Sequence, residues 1–422
     1  MSRKGCERMS SEEARSPFPG RSPEADSASP LAGHDVVFLS HQRWNTHTTP
    51  VHHTVWQLVR HNRVLFMEPP DSMGWLLHEP PAREALLWIG WPLQHRDRNL
   101  WVYHTPPVFL PGQARWRWIQ RSISALYGFM VRRAQSALAI RNPLYWVFQF
   151  NTVDVLDSLR APFVVYECAE DHAAYETDPV LQKHIEEMDA RLCRRADVVI
   201  VPSQHMLEAR RAYNPHTHRV PWGVDVAHYR LAADPETPIP ADIAALPRPV
   251  IGLIGMLDGR RLHTELLLHL ASRHADWQIV LVGRCMPNLD QTPLRARPNV
   301  HFLGFKPVEV LPAYCKAFDV CIIPYMINEF TRSIMPLKLI EYLATGRPAV
   351  ATALPAADEL RDVIRVAESI EEFERMVVDA LREPAGLAEQ RMRRAADYDW
   401  HVIGRQKLAL VAERMTAAGF RP

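Results

Sequence analysis

"SIMPLKLIEYLATG", residues 333–346, runs into "PAVATAL" at 348–354, so a helix pattern and a strand pattern meet in one short stretch. As a helix from about Met335, it places Leu339, Ile340 and Leu343 on one face and Lys338, Glu341, Tyr342 and Thr345 largely on the other. Pro336 suits a first helical turn, and Gly346 suits the position just past the last. The run before the helix, "DVCIIPY" at 319–325, is short and apolar like "PAVATAL". Such runs fit strands buried on both faces of a parallel sheet. Lys338 and Glu341 therefore fall near a helix start, close to the carboxyl end of a strand. On an exposed face they would form an i, i+3 ion pair that contributes only a few tenths of a kcal/mol. At a strand end they could do more. The carboxylate can accept two hydrogen bonds from a ribose diol, and the ammonium can meet phosphate oxygens.

The same alternation extends outward. Strand-like runs occur at "HDVVFLS" (34–40), "RVLFMEPP" (63–70), "LYWVFQF" (144–150), "FVVYECAED" (163–171), "DVVIVPS" (197–203), "PVIGLIG" (249–255), "WQIVLVG" (277–283) and "NVHFLGF" (299–305), with helix-like stretches between most of them. Strands alternating with helices predict an α/β fold with parallel sheets and helical crossovers. Five prolines and little β character mark residues 226–248 and the following Pro249 as a linker between two α/β halves. A cleft between two such halves is a natural ligand site. Residues 1–33, rich in Ser, Pro and charge, read as a disordered tail without the apolar core of a secretory signal.

Composition narrows the function class. The chain has 422 residues, 47% hydrophobic and 23% charged, with a net charge of +1. That length suits two domains. The near-neutral charge gives no argument for a nucleic-acid partner. None of the six cysteines forms a C-x-x-C pair, so neither a zinc ribbon nor a disulfide framework is indicated, and a reducing cytoplasm is the simplest location. No apolar run approaches the roughly 18 residues of a membrane span.

In the second half, "IGLIGMLDGRR" (251–261) is a strand, a Gly turn and two arginines, with a helix expected near His263. A Gly turn lets backbone approach a phosphate, and a helix N-terminus offers free N–H groups and partial positive charge. The competing reading is an ordinary βα turn with solvated arginines. In the first half, Ser40, His41, Asp171 and His172 directly follow strands and could edge the cleft, although a loop histidine is commonly solvated or capping. Residues 115–140, "RWRWIQRSISALYGFMVRRAQSALAI", read as an amphipathic helix: Trp116, Ile119, Ile123, Tyr127, Met130 and Ala134 line one face and Arg115, Arg117, Arg121, Arg132 and Arg133 much of the rest. Basic residues with tryptophans can dock on anionic lipid, whereas a crossover helix on the first sheet needs only the apolar face.

"PLKLIEYLATGRPAVAT" (336–352) resembles the nucleotide-sugar segment of GT-B glycosyltransferases, particularly retaining family 4. "ADVVIVPSQHMLEARRAYNPHTHRVPWGVD" (196–225) resembles the segment leading into that family's hinge, and "ADYDWHVIGRQ" (396–406) its closing helix. The nearest flavour is the group acting on cell-wall or capsular polysaccharides, such as teichuronic-acid transferases. The resemblance implies two Rossmann-like domains facing across a cleft. An acceptor-binding domain would span 34–225 and a nucleotide-sugar domain 249–395, with a crossover helix over 396–422. It implies that Glu341 holds the nucleotide's ribose, that Arg260, Arg261 and Lys338 face the diphosphate, and that Gly255 lines the turn beneath it. Gly223 and Asp225 would sit at the hinge facing the cleft. The family often carries a second glutamate with seven residues between the pair; here Ser333 stands at that donor-sugar position. Of the residues near the cleft, Arg260, Lys338, His41 and Asp171 are the candidates for a catalytic part.

The function so implied is transfer of a sugar from a nucleotide-sugar, UDP-linked by family habit, to a polysaccharide or lipid-linked glycan with retention, in the cytoplasm or peripherally at the inner face of its membrane. No metal or other cofactor is expected, since "DYD" (397–399), the D-x-D of the chain, lies in the tail. Two other readings stay open: a nucleotide-sugar epimerase of the same fold, and a non-catalytic nucleotide-sugar binder or scaffold.

Overall fold

Apolar runs that bury both faces pair side by side into two sheets. In the computed structural model, which describes residues 30–45, 49–70, 92–106, 117–384 and 386–421, the first sheet holds eight strands and the second six. The first comprises β1 (Asp35–Leu39), β2 (Arg63–Met67), β3 (Leu93–Asp97), β4 (Leu100–Tyr103), β5 (Leu144–Val147), β6 (Phe163–Glu167), β7 (Val198–Val201) and β8 (Thr217–Arg219), in the order β3-β4-β2-β1-β5-β6-β7-β8. The second comprises β9 (Val250–Ile254), β10 (Gln278–Val282), β11 (Val300–Gly304), β12 (Val320–Ile323), β13 (Ala349–Thr352) and β14 (Arg365–Ala367), in the order β11-β10-β9-β12-β13-β14. Every pair is parallel except β3 with β4. The second sheet has the doubly wound strand order of a Rossmann fold, whose crevice opens where the order reverses, between β9 and β12. The first sheet reverses likewise between β1 and β5. This is the GT-B architecture expected from the sequence.

Helices cover both faces of each sheet. On the first, Arg117–Ala137 and Pro179–Arg195 pack on one face through residues such as Ile123, Tyr127, Val131, Met188 and Leu192. Pro50–Val59 covers the other, with the closing helix Trp400–Ala417 beside it: Ile403, Leu408, Val411 and Met415 share a core with Val51, Val55 and Phe38.

Residues 226–248 are not a free linker. Val226, Tyr229, Ala232 and Ile243 are buried in the core of the second unit beside Tyr314, Leu339 and Leu343. The Lys316 ammonium donates to the carbonyls of Asp234, Pro235 and Thr237, at 2.7 Å each. Prolines break helix and strand without preventing burial of the apolar residues between them, so proline density marked irregularity and not mobility. The crossing lies just before, where Val224 N–H donates to Tyr398 O (2.8 Å) and Trp400 N–H to Val224 O (3.2 Å). The chain thus passes between the units twice, side by side. Packing also begins earlier than residue 34: Leu31 is buried, and Gly33 N–H donates to His61 O at 3.0 Å. The remainder of the proposed N-terminal tail, with Arg115 and Trp116 of the amphipathic stretch, lies outside the described residues.

Candidate active site

The carboxyl ends of β9 and β12 face those of β1, β5 and β6 across one cleft. It encloses about 380 Å³ and is lined from the first unit by His41, Phe148, Glu170, His172 and Tyr175, from the crossing by Trp222, and from the second by Gly255, Met256, Arg261, Tyr325, Met335 and Lys338.

The turn after β9 is fixed by its neighbour. Gly255 N–H donates to Val282 O (2.9 Å), and the backbones of Leu257 and Cys285 bridge. Gly255 and Gly283 have φ of +152° and +150°, where side chains other than hydrogen are disfavoured. A Cβ on Gly283 would lie 1.7 Å from Gly255 O. Gly283→Ala is therefore expected to displace the Gly255 turn and abolish ligand binding in the cleft, with a fall in stability of about 2 kcal/mol or more. Calorimetric titration beside a urea melt checks both effects.

Asp258, in the same turn, organises the arginines. Its carboxylate accepts from Arg260 Nη2 (2.7 Å), Arg260 N–H (2.9 Å) and Asn288 Nδ2 (2.8 Å). Burial alone would raise its pKa, but the hydrogen bonds from Arg260 and Asn288 hold the carboxyl well below the usual range. Arg260 is thereby committed: its guanidinium also lies 4.6 Å from the Tyr175 ring, and it is not among the cleft-lining residues. Arg261 points into the cleft past Tyr325 and Phe330, and its Nε is buried without a hydrogen-bond partner. The following helix starts at Thr264, one residue after the expected His263. His263 is its cap, its Nδ1 accepting from Leu266 N–H at 3.3 Å.

The opening stretch forms a helix over Leu337–Thr345, ended by Gly346 at φ +73°. Its polar face is narrower than expected. Tyr342 and Thr345 are buried, and the Tyr342 hydroxyl accepts from Ile254 N–H at 2.8 Å. The side carrying Tyr342 meets the sheet at Ile254, and helix Gly386–Ala396 packs on the same helix near Gly346, so packing on more than one side buries residues that one-sided amphipathicity assigns to solvent. What stays accessible is Lys338 and Glu341, 17% and 13% exposed and joined as an ion pair. Lys338 lines the cleft; Glu341 does not, and its charge, after burial, raises the pKa of the nearby Tyr229 phenol.

Besides Arg260 and Glu341, four more expected site residues are not presented to the cleft. Ser333 is fully buried; its hydroxyl donates to Phe330 O (2.8 Å) and its carbonyl accepts from Ser203 Oγ (2.6 Å), a bond between the two units. Gly223 lies under Trp400, whose ring would meet a Cβ at 2.5 Å; its neighbour Trp222 faces the cleft instead. Asp225 caps helix Val226–Arg230 by accepting from His228 N–H (2.9 Å). Asp171 lines a second, smaller cavity and accepts from Arg210 Nη1 at 3.2 Å. Burial pushes its pKa up, and the Arg210 charge more than reverses this. Asp399 of "DYD" caps the closing helix, and Asp397 pairs with Arg394. Tyr175, Trp222, Tyr325 and Met335 were missed. Tyr325 ends a strand-like run, a usable signal; Trp222 had none beyond adjacency to Gly223.

His41 is the candidate acid–base group. It is half-buried, its buried Nδ1 has no hydrogen-bond partner, and its ring lies 5.6 Å from Phe148. Burial, then the charges of His172 and His52, lower its pKa to about 4, so it is a neutral imidazole at pH 7. The unfolded chain takes a proton near pH 6.5 that the native site refuses until about pH 4. Stability should therefore decline as pH falls through that window, by about 3 kcal/mol for this group. His53, stacked on Trp400, and His172 shift in the same direction. Urea midpoints from pH 7 to 4 should fall less steeply in His41→Asn than in the native protein.

Residues 248–383 match the family model described as Glycosyl transferases group 1. Over 211 residues the chain is 27% identical to TuaH of Bacillus subtilis, a candidate teichuronic acid biosynthesis glycosyltransferase, covering 47% of this chain and 52% of that protein. The match spans about half the length of this curated relative. Sucrose-phosphate synthase from Thermosynechococcus elongatus superposes with a TM-score of 0.67 at 16% identity, over 91% of this chain and 100% of that one. HepE of Anabaena in complex with UDP and glucose gives 0.62 at 16%, over 91% and 100%. The α,α-trehalose 6-phosphate synthase of Burkholderia multivorans gives 0.65 at 13%, over 92% and 100%. The chain therefore has the GT-B fold, and its residues 248–383 are similar to the glycosyl transferases group 1 family.

Proposed function

We propose that the protein is a retaining glycosyltransferase of family 4 type. It would move a sugar from a UDP-linked donor to a polysaccharide or lipid-linked glycan, working at the cytoplasmic face of a membrane. The observation that carries this reading is the cleft wall made by Gly255, Arg261 and Lys338. It sets an open backbone turn and two cations, one with an unpartnered Nε, at the reversal point of a doubly wound sheet. UDP and glucose in HepE and the teichuronic acid named for TuaH support the donor and acceptor classes.

The resting Lys338–Glu341 pair explains why one helical turn carries both charges. On donor binding the ammonium turns to the diphosphate and frees the carboxylate for the ribose diol. As the donor's C1–oxygen bond breaks, its electron pair goes to the diphosphate, where Arg261 and Lys338 stabilise the charge. The acceptor oxygen bonds to C1 from the same face, and its proton passes to the departing diphosphate oxygen. Neutral His41, from the opposite wall, offers its imidazole to a sugar hydroxyl. The two fixed cations, and not a bound metal, neutralise the leaving group, so excess chelator should leave turnover unchanged.

The test is thermal stabilisation by UDP-, GDP-, ADP- and dTDP-sugars. Binding at 100 times Kd stabilises by about 2.7 kcal/mol. One nucleotide should raise the melting temperature of the native protein and leave Arg261→Ala unmoved. No shift with any of the four would sink the reading, and an epimerised donor recovered without acceptor would replace it with an isomerase.

A further inference from the structure

Helix Arg117–Ala137 has two apolar faces, and the fold uses one. Ile119, Ile123, Tyr127, Val131 and Ala134 are buried on the first sheet, and the Tyr127 hydroxyl donates to Glu68 O at 2.9 Å. A crossover helix needs no more than that. Yet Trp118, Leu126 and Phe129 stand 61%, 41% and 54% exposed. At about 100° per residue these three fall within roughly 80° of arc, in a stripe about 16 Å long. Arg121 and Arg132 flank the stripe on one side and Arg133 falls within its arc, one turn past Phe129; all three are exposed, and the helix contains no Asp or Glu. Arg160, exposed, follows the segment whose Ser158 carbonyl accepts from Arg132 at 3.3 Å. Acidic groups bound the patch at the Arg121 end: Asp154, already paired with Arg191 at 2.7 Å, and Glu187. The positive field is thus concentrated towards Arg132 and Arg133.

We propose that this face is a docking surface for an anionic lipid membrane, on which Trp118, Leu126 and Phe129 enter the headgroup boundary while the arginines hold lipid phosphates. An exposed Trp and Phe between guanidinium groups match the amphipathic character of that boundary. Their attachment is parallel to the surface; among the described residues no helix is long and apolar enough to cross a membrane. The inference stands apart from the transferase reading, because vesicle binding reads the surface directly.

The experiment is co-sedimentation of the full chain with vesicles of phosphatidylcholine alone and of phosphatidylcholine mixed with phosphatidylglycerol. Binding is expected to the mixed vesicles, falling as salt rises because exposed charges are screened. Trp118→Ser with Phe129→Ser, and Arg132→Glu with Arg133→Glu, should each weaken it by about tenfold or more. Arg393→Glu, on an exposed position of the other unit, should not. The substituted side chains are exposed, so all variants should keep the native melting curve, and circular dichroism verifies it. The proposal is overturned by absence of binding to the mixed vesicles, by equal binding to both lipids, or by binding that both double variants retain. It is equally overturned if the Trp118/Phe129 variant instead abolishes a concentration-dependent dimer in sedimentation velocity, which would make a second copy the occupant.

Discussion

Lys338→Ala is expected to lower nucleoside diphosphate release from the cognate nucleotide-sugar by about 100-fold or more, with a smaller loss in ground-state binding. Removing one preorganised charge donor from a site where negative charge develops costs about 2.7–4 kcal/mol of transition-state stabilisation. The asymmetry follows from the leaving group, whose charge on the oxygen near Lys338 grows as the bond breaks. A purely structural role is distinguishable. If Lys338 only neutralises Glu341, then Lys338→Met with Glu341→Gln, which removes both charges, should restore turnover. If it serves the diphosphate, the double variant stays inactive while its urea midpoint returns towards the native value. Turnover recovered in the double variant would remove Lys338 from the site.

That experiment separates two readings which the spacing alone left open, and the structure shows why. An i, i+3 pair and a ligand site demand the same spacing, and what tells them apart is which side chain reaches the cleft. The fold was legible because strands buried on both faces need continuous apolar runs, and all ten such runs are strands. The four strands not read, β3, β4, β8 and β14, lie at or next to sheet edges, where "LQHRD" or "THR" buries too little to leave a pattern. Of the residues read as candidates, Gly255, in a turn whose φ favours glycine, and Arg261 do line the cleft. The site was not legible where neighbours distant in sequence decide orientation. Trp400 turns Gly223 into a packing residue and Arg210 claims Asp171, while Arg260 is claimed from within its own turn, by Asp258. Tyr342 shows the same limit within a helix, since its hydroxyl is buried against Ile254 of β9, 88 residues earlier in the chain.

The second large effect lies away from the cleft. Lys407→Ala is expected to destabilise the protein by about 3–5 kcal/mol, read as a fall in urea midpoint, because it strands a buried carboxylate. Lys407 and Glu167 are 4% and 2% exposed and ion-paired; the ammonium also donates to Thr54 Oγ1 (3.0 Å), and Glu167 accepts from Trp146 Nε1 (2.7 Å). In sequence Lys407 is a lone lysine on a helix, which reads as solvated. In the fold it meets the carboxyl end of β6 and ties the closing helix to the first sheet, with the Trp222 ring 5.9 Å away. Lys407→Met alone should be nearly as damaging as the alanine variant, since Glu167 remains charged and unpaired. Lys407→Met with Glu167→Leu should recover most of the loss, because two well-packed apolar side chains replace a desolvated pair at little net cost. A single variant within about 1 kcal/mol of the native protein would show that the closing helix is held by its apolar face alone. A large single effect with a mild double one would instead give the ion pair a specifying role. The helix would then be held in the one register that keeps Trp222 against the cleft, and the double variant should bind donor more weakly than its stability suggests.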